Sequence, residues 1–314
     1  MTMTARPAYN IPAGLACGAA AGAAWGLVFV APLLLGSFTP FALSIARYLA
    51  YGIIALILIA PRWPRLKNRV TRADWIALLL LSMTGNIIYY VFVAAAVQLG
   101  GIQIASFVVG LLPIAVTLVG SREAGALSLR RLGPPLLLIG IGLVLINQDL
   151  FTHGAGAQDG LKTLAGIACA VVALASWTHY AVANARYLRR VPHLSNQDWS
   201  LLTGLATGAI ALVLSPLILI GNLHHDLDAW LWFALVNAVL AIAASVVGNG
   251  LWNAASRFLP LTLSGQMIIF ETLFALAYGF MLEQRLPRLL EVLAIVALVA
   301  GVAWSARRHG ASPH

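Results

Sequence analysis

The chain has 314 residues, 61% of them hydrophobic and 9% charged, with a mean hydropathy of +0.90. Soluble domains carry about 25% charged residues, and one soluble core stops growing at about 250 to 300 residues, so this composition excludes soluble enzymes, nucleic-acid binders and receptors with large ectodomains. The net charge of +9 would point to nucleic acid in a soluble protein, but in a membrane protein Lys and Arg gather in cytoplasmic loops, and no nucleic-acid partner is expected.

At about 20 apolar residues per crossing, the apolar runs predict ten spans: 13–35, 40–60, 74–98, 102–120, 131–147, 162–186, 199–220, 229–255, 261–282 and 287–306. The fold class is therefore all-α and integral to the lipid bilayer. The first run begins near Ala13 and passes Val30, longer than a signal-peptide core, and reads as a retained helix. Breaks as short as 36–39 and Gly100-Gly101 force antiparallel neighbours. Cys17 and Cys169 each lie inside an apolar stretch without redox or metal-ligand spacing and read as small core residues.

Basic residues give the orientation. With the N-terminus inside, 15 of the 19 Lys and Arg fall in inner loops and only Lys162, Arg285 and Arg288 in outer ones, while Arg47 lies within a span. One missed or added span would invert every later loop and destroy that bias. Both termini are thus expected in the cytoplasm.

Spans one to five (residues 1–150) and six to ten (151–314) form two candidate repeats. Ala24-Trp25 is answered by Ser176-Trp177, Ala95-Ala96 by Ala254-Ala255, and Glu123 by Glu283, at separations of 152, 159 and 160 residues. An odd number of spans per half inserts the second half upside down.

Polar side chains are costly in hydrocarbon and face a bundle interior or a cavity. In span four Gln103, Ser106, Gly110, Pro113 and Thr117 recur at helical spacing, as do Ser245, Asn249, Trp252 with Asn253, and Ser256 in span eight. Span six carries Ser176, Trp177, His179, Tyr180 and Asn184, and span three Asn86 with Tyr89 and Tyr90. Such stripes serve either as interhelical hydrogen-bond glue or as the wall of a shared polar pathway. Glycines at 14, 18, 22 and 26 leave span one a smooth groove, and Gly22 and Pro113 are hinge candidates. Glu271 sits mid-span in span nine, either as a buried structural group or as a proton-coupling carboxylate, and points away from Gln266. His224, His225, Asp226 and Asp228 occupy an outer loop, and neither a metal nor a cofactor is expected. A membrane enzyme would need a nucleophile beside a base, a requirement only Ser176 and His179 approach; a passive channel or scramblase is a further alternative.

Ala24-Trp25, Arg47-Tyr48-Leu49, Phe270-Glu271 and Leu273-Phe274-Ala275-Leu276 with Glu283 resemble the drug/metabolite transporter superfamily and its EamA-type repeat, although Thr272 stands where that family usually has proline. Trp177-Thr178-His179-Tyr180 and Trp252-Asn253 are similar to the Trp-x-x-Tyr and Trp-Asn of its YddG-type aromatic amino-acid exporters, and Tyr89 and Tyr90 fall in their tyrosine-bearing zone. The resemblance implies a bacterial inner-membrane exporter of aromatic and other neutral hydrophobic amino acids, or of another small metabolite or drug, working as a monomer by alternating access. The implied substrate site combines Tyr89, Tyr90, Trp177, His179, Tyr180, Trp252 and Phe270 with Gln103, Ser106, Asn249, Asn253 and Gln266. Reporter fusions in loops 61–73 and 187–198 should report cytoplasm, and one at 221–228 periplasm; opposite signals would sink the ten-span topology.

Overall fold

In a computed structural model, residues 9–35, 37–100, 105, 108–123, 126–146, 148, 160–220, 222, 224–282 and 284–310 are described. They form helices joined by turns, with no strand among them. Helix α1 is Ile11–Gly26, α2 Pro40–Ile59 and α3 Arg72–Ser82, which continues through a π-helical turn at Met83–Ile88 into Tyr89–Gly100. Then follow α4 (Leu112–Gly120), α5 (Leu129–Ile146), α6 (Gly160–Arg190) and α7 (Asn196–Leu214). Helix α8 is Leu227–Leu240, a second π-helical turn at Ala241–Gly248, and Asn249–Phe258. Helix α9 runs Leu261–Ser264, a 3-10 turn Gly265–Ile268, and Ile269–Leu282, and α10 is Leu289–Gly310. Seven of these rods are long and apolar enough to cross a bilayer among the described residues, and α1 is a shorter apolar helix.

Local chemistry sets where the helices start. Asn10, Thr39, Thr71, Ser195 and Asp226 each accept a hydrogen bond from an otherwise unpaired N–H in the first turn of α1, α2, α3, α7 and α8. At α3 the cap is reciprocal, since Asp74 also accepts from the Thr71 N–H at 2.7 Å. Helix α1 ends earlier than the apolar run suggests, passing at Gly26 into a 3-10 turn at Leu27–Phe29 and a short helix at Ala31–Leu34. Large apolar side chains lie outermost, such as Val213 at 79% and Leu137 at 67% exposure, as a lipid-facing surface requires.

The helix contacts come in matched pairs that survive exchange of the first five helices for the last five. Helices α2 with α7, α4 with α9, and α5 with α10 pack on each other; α1 packs on α8 and α9, and α6 correspondingly on α3 and α4. The α2–α7 crossing is the tightest. A Cβ on Gly208 would lie 2.5 Å from the Gly52 Cα, so the two backbones touch directly. The glycine groove of α1 receives α9, where a Cβ on Gly22 would meet the Phe270 carbonyl carbon at 2.7 Å and the Glu271 nitrogen at 2.8 Å.

The two π turns occupy equivalent places in α3 and α8, and each offers a backbone carbonyl to the opposite half. Ser176 Oγ of α6 donates to the Thr84 carbonyl at 2.7 Å, and Trp25 Nε1 of α1 donates to the Ala244 carbonyl at 3.0 Å. The sequence pair Ala24-Trp25 and Ser176-Trp177 thus marks two donor positions with one job. A π turn widens the backbone ring to i→i+5, and in a bilayer every polar backbone group needs a partner from the protein.

Replacing Gly208 by valine should abolish the monodisperse peak in detergent size-exclusion chromatography, because backbone cannot yield to the new side chain and overpacking costs about 1–3 kcal/mol or more. Gly133→Ala in α5, where a Cβ meets nothing within 4 Å, is the control and should elute as the wild type does.

Candidate functional site

Below the two π turns the interior fills with rings. Trp25, Trp177 and Trp252 from α1, α6 and α8 lie 5.3 to 6.0 Å apart between ring centroids, a mutual tryptophan cluster. Tyr180 joins Trp177 at 5.6 Å and Tyr89 joins it at 6.3 Å. Tyr89 adjoins Tyr90 at 6.2 Å, and Tyr90 meets Tyr48 of α2 edge-on at 5.9 Å. Edge-to-face and tilted geometries of this kind are favoured by the ring quadrupoles.

Arg47 closes one end of this wall. It is 8% exposed; its Nε donates to Ser245 Oγ at 3.1 Å and its Nη1 to the Tyr90 hydroxyl at 3.2 Å. The guanidinium also stands 5.4 Å from the Tyr48 ring centre and 5.6 Å from that of Tyr90, a cation–π arrangement. Glu271 faces the same region, within electrostatic reach of Arg47, Tyr89 and Tyr90, yet forms neither a hydrogen bond nor an ion pair among the described residues. Tyr89, Tyr90 and Glu271 are partly exposed rather than packed solid. The face they share with Arg47, next to the ring cluster, is the candidate site.

The structure brings together Tyr89, Tyr90, Trp177, Tyr180 and Trp252. Phe270 is half-buried, its backbone against Gly22, and Asn249 is half-buried beside the Tyr51 hydroxyl. Gln266 is fully buried; its Nε2 donates to the Thr262 carbonyl of its own helix and its Oε1 has no partner among the described residues. Gln103 and Ser106 lie outside the described residues.

Three expectations meet a different arrangement. His179 is exposed on the outer surface of α6, where it lines a groove of about 480 Å³ with Val119, Leu174, Thr178 and Arg186; its neighbours Trp177 and Tyr180 point inward. Asn253 is 2% exposed and turned to α6 and α7, where its Oδ1 accepts from Asn184 Nδ2 at 2.9 Å while Asn184 Oδ1 accepts from Trp199 Nε1 at 2.9 Å. That amide works as interhelical glue in this structure. Pro113 lies in the first turn of α4, after a break at 110–111, where its missing N–H costs no helical hydrogen bond. The backbone interruption precedes the proline rather than bending at it.

Two participants, Arg47 and Trp25, stand out only in the folded chain. Their sequence signals were an intramembrane charge and a tryptophan repeated between the halves, but their partners come from other helices. In the segment that precedes α8, His225 stacks on Phe38 at 3.9 Å and contacts the Ser37 carbonyl, and Asp226 caps α8. Those contacts give both residues structural roles.

Trp25→Phe and Ser176→Ala each strand one carbonyl at a π turn, which costs about 1–3 kcal/mol. Each should lower the unfolding temperature in detergent by a similar amount. The double variant should show the sum, since the two turns share no hydrogen-bond partner; an unchanged temperature for both singles would refute the capture of those carbonyls.

Comparison with known proteins places this architecture. Residues 12–147 match the model of the EamA-like transporter family. The inner membrane protein YtfF of Escherichia coli (strain K12) is 35% identical over 315 residues, covering 93% of this chain and 94% of that protein. A solved crystal structure at 20% identity superposes with a TM-score of 0.68 over 95% of this chain and 99% of the other, a likeness of fold. Helical architecture, family match and full-length relative agree: the chain belongs to the EamA-like transporter family.

Proposed function

We propose that the protein exports aromatic and other neutral hydrophobic amino acids from the bacterial cytoplasm across the inner membrane, by alternating access. The observation that carries this reading is the gathering of the partly exposed Tyr89 and Tyr90 with the buried rings of Trp177, Tyr180 and Trp252, within electrostatic reach of Glu271. Aromatic walls offer stacking to a flat side chain, and the half-buried Asn249 offers an amide to a polar head. Halves 1–150 and 151–314 act as inverted repeats in a monomer, with both termini cytoplasmic; the matched helix contacts and the loop charge bias support this. The placement in the inner membrane follows the relative YtfF. The carrier reading is favoured over membrane catalysis because Ser176 is committed to the Thr84 carbonyl while His179 lies on the outer surface.

Counterflow in liposomes containing the purified protein tests it. Preloaded unlabelled phenylalanine or tryptophan should accelerate entry of the labelled amino acid, and Trp177→Ala should weaken apparent affinity for these by a few-fold to about tenfold while changing alanine little, since an aromatic contact contributes about 0.5–1.5 kcal/mol beyond its area. Absence of counterflow for every amino acid would overturn the reading.

A further inference from the structure

Most intramembrane charges in proteins are paired. Arg47 and Glu271 are held in the same interior without touching each other. Every other contact of Arg47 leaves its charge unmet: Ser245 and Tyr90 accept from Nε and Nη1 as neutral oxygens, and Tyr48 and Tyr90 present ring faces. Its third nitrogen, Nη2, has no hydrogen-bond partner among the described residues, and neither has the carboxylate of Glu271, a partly exposed side chain. Two opposite charges therefore stand within electrostatic reach of each other, each with hydrogen-bonding capacity to spare, beside Tyr89 and Tyr90.

The positions of both groups are fixed from behind. Arg47 is clamped by α8 and α3 through Ser245 and Tyr90, and Glu271 sits where α9 lies backbone-to-backbone against α1 at Gly22. Rigid support of this kind costs little entropy on ligand binding. A lone anion would satisfy Arg47 and repel Glu271; a lone cation would do the reverse. A molecule bearing both charges, with an apolar body for the tryptophan cluster, satisfies both.

We infer that Arg47 and Glu271 form a two-ended recognition site for the head of an α-amino acid, the guanidinium taking the carboxylate and the Glu271 carboxylate taking the ammonium. This rests on the amino-acid reading above and names the groups that distinguish a zwitterion from its singly charged analogues. Planar guanidinium and carboxylate match geometrically, and a hydrogen bond to a charged group is worth about 1.5–3 kcal/mol.

The test is competition against counterflow of labelled phenylalanine by three probes: phenylalanine, phenylalanine amide, which lacks the carboxylate, and 3-phenylpropionate, which lacks the ammonium. In the wild type each analogue should compete about tenfold or more weakly than phenylalanine, the lower end expected from losing one charge-assisted bond. Arg47→Gln should erase the preference for phenylalanine over its amide, and Glu271→Gln the preference over phenylpropionate. Because one unpaired charge threatens folding, the neutral double variant Arg47→Gln/Glu271→Gln is measured alongside, with its elution profile in detergent. If the double variant folds, transports phenylalanine and competes equally with all three probes, the inference holds. If it keeps the wild-type order and ratio of the probes, the two charges are only counter-ions for each other; the recognition site is then overturned while amino-acid transport stands. Wild-type protein that carries no amino acid overturns both.

Discussion

A backbone carbonyl inside a bilayer has no water to bond, and the two carbonyls at the π turns of α3 and α8 show how this chain answers that constraint. Each is met by a side chain from the opposite half, Ser176 for Thr84 and Trp25 for Ala244. The capture ties α6 to α3 and α1 to α8, which are the contacts that enclose the interior. The tryptophan that closes one turn is itself a member of the ring cluster, so satisfying the backbone and building that cluster are one act. Tyr89 and Tyr90 follow directly after the first turn, and Ser245, the anchor of Arg47, lies within the second. The site is therefore assembled around two local departures from α-helical geometry.

Much of the fold was legible in the sequence because the bilayer imposes a length on apolar runs and a side on basic loops. The runs 40–60, 199–220 and 261–282 coincide closely with α2, α7 with its 3-10 extension to Leu219, and α9. What the sequence could not deliver was phase beyond a π turn. Neither Met83–Ile88 nor Ala241–Gly248 contains proline, and nothing in their composition announces an extra residue per turn. One extra residue rotates all that follows by about 100°. Ser245 and Asn253 were therefore read as one stripe, yet one meets Arg47 of α2 and the other Asn184 of α6.

The same limit explains the rest of the site. A periodic pattern tells which face of a helix is polar, but it does not say which helix that face meets. Arg47 was visible as a charge within a span, but its partners lie 43 and 198 residues away. His179 lies between two inward-facing rings in sequence, and its 3.6-residue geometry nonetheless carries it to the outside, where it borders a groove with Thr178 and Arg186. Trp25 announced itself only by repetition. Repeat positions are informative here because they mark structural duties that both halves must perform, whereas the two intramembrane charges, Arg47 and Glu271, have no such counterpart in the opposite half: the equivalents of their helices carry uncharged residues in the middle.

The contact between Gly52 and Gly208 bears on how such a molecule moves. Helices α2 and α7 are the exchange partners of each other, so their crossing lies where the symmetry of the two halves is centred. Where the backbones touch there is no gap through which to approach further, and the side chains next to that point tie the rods together: the Tyr51 hydroxyl of α2 donates to the Ser200 carbonyl of α7, and its ring lies against Gly204. The polar cluster of Ser82, Asn86 and Thr207 adds α3 to the same knot. That crossing has the mechanical character of a rivet, which fastens the two halves to each other at their centre and leaves the outer helices the looser parts of the assembly.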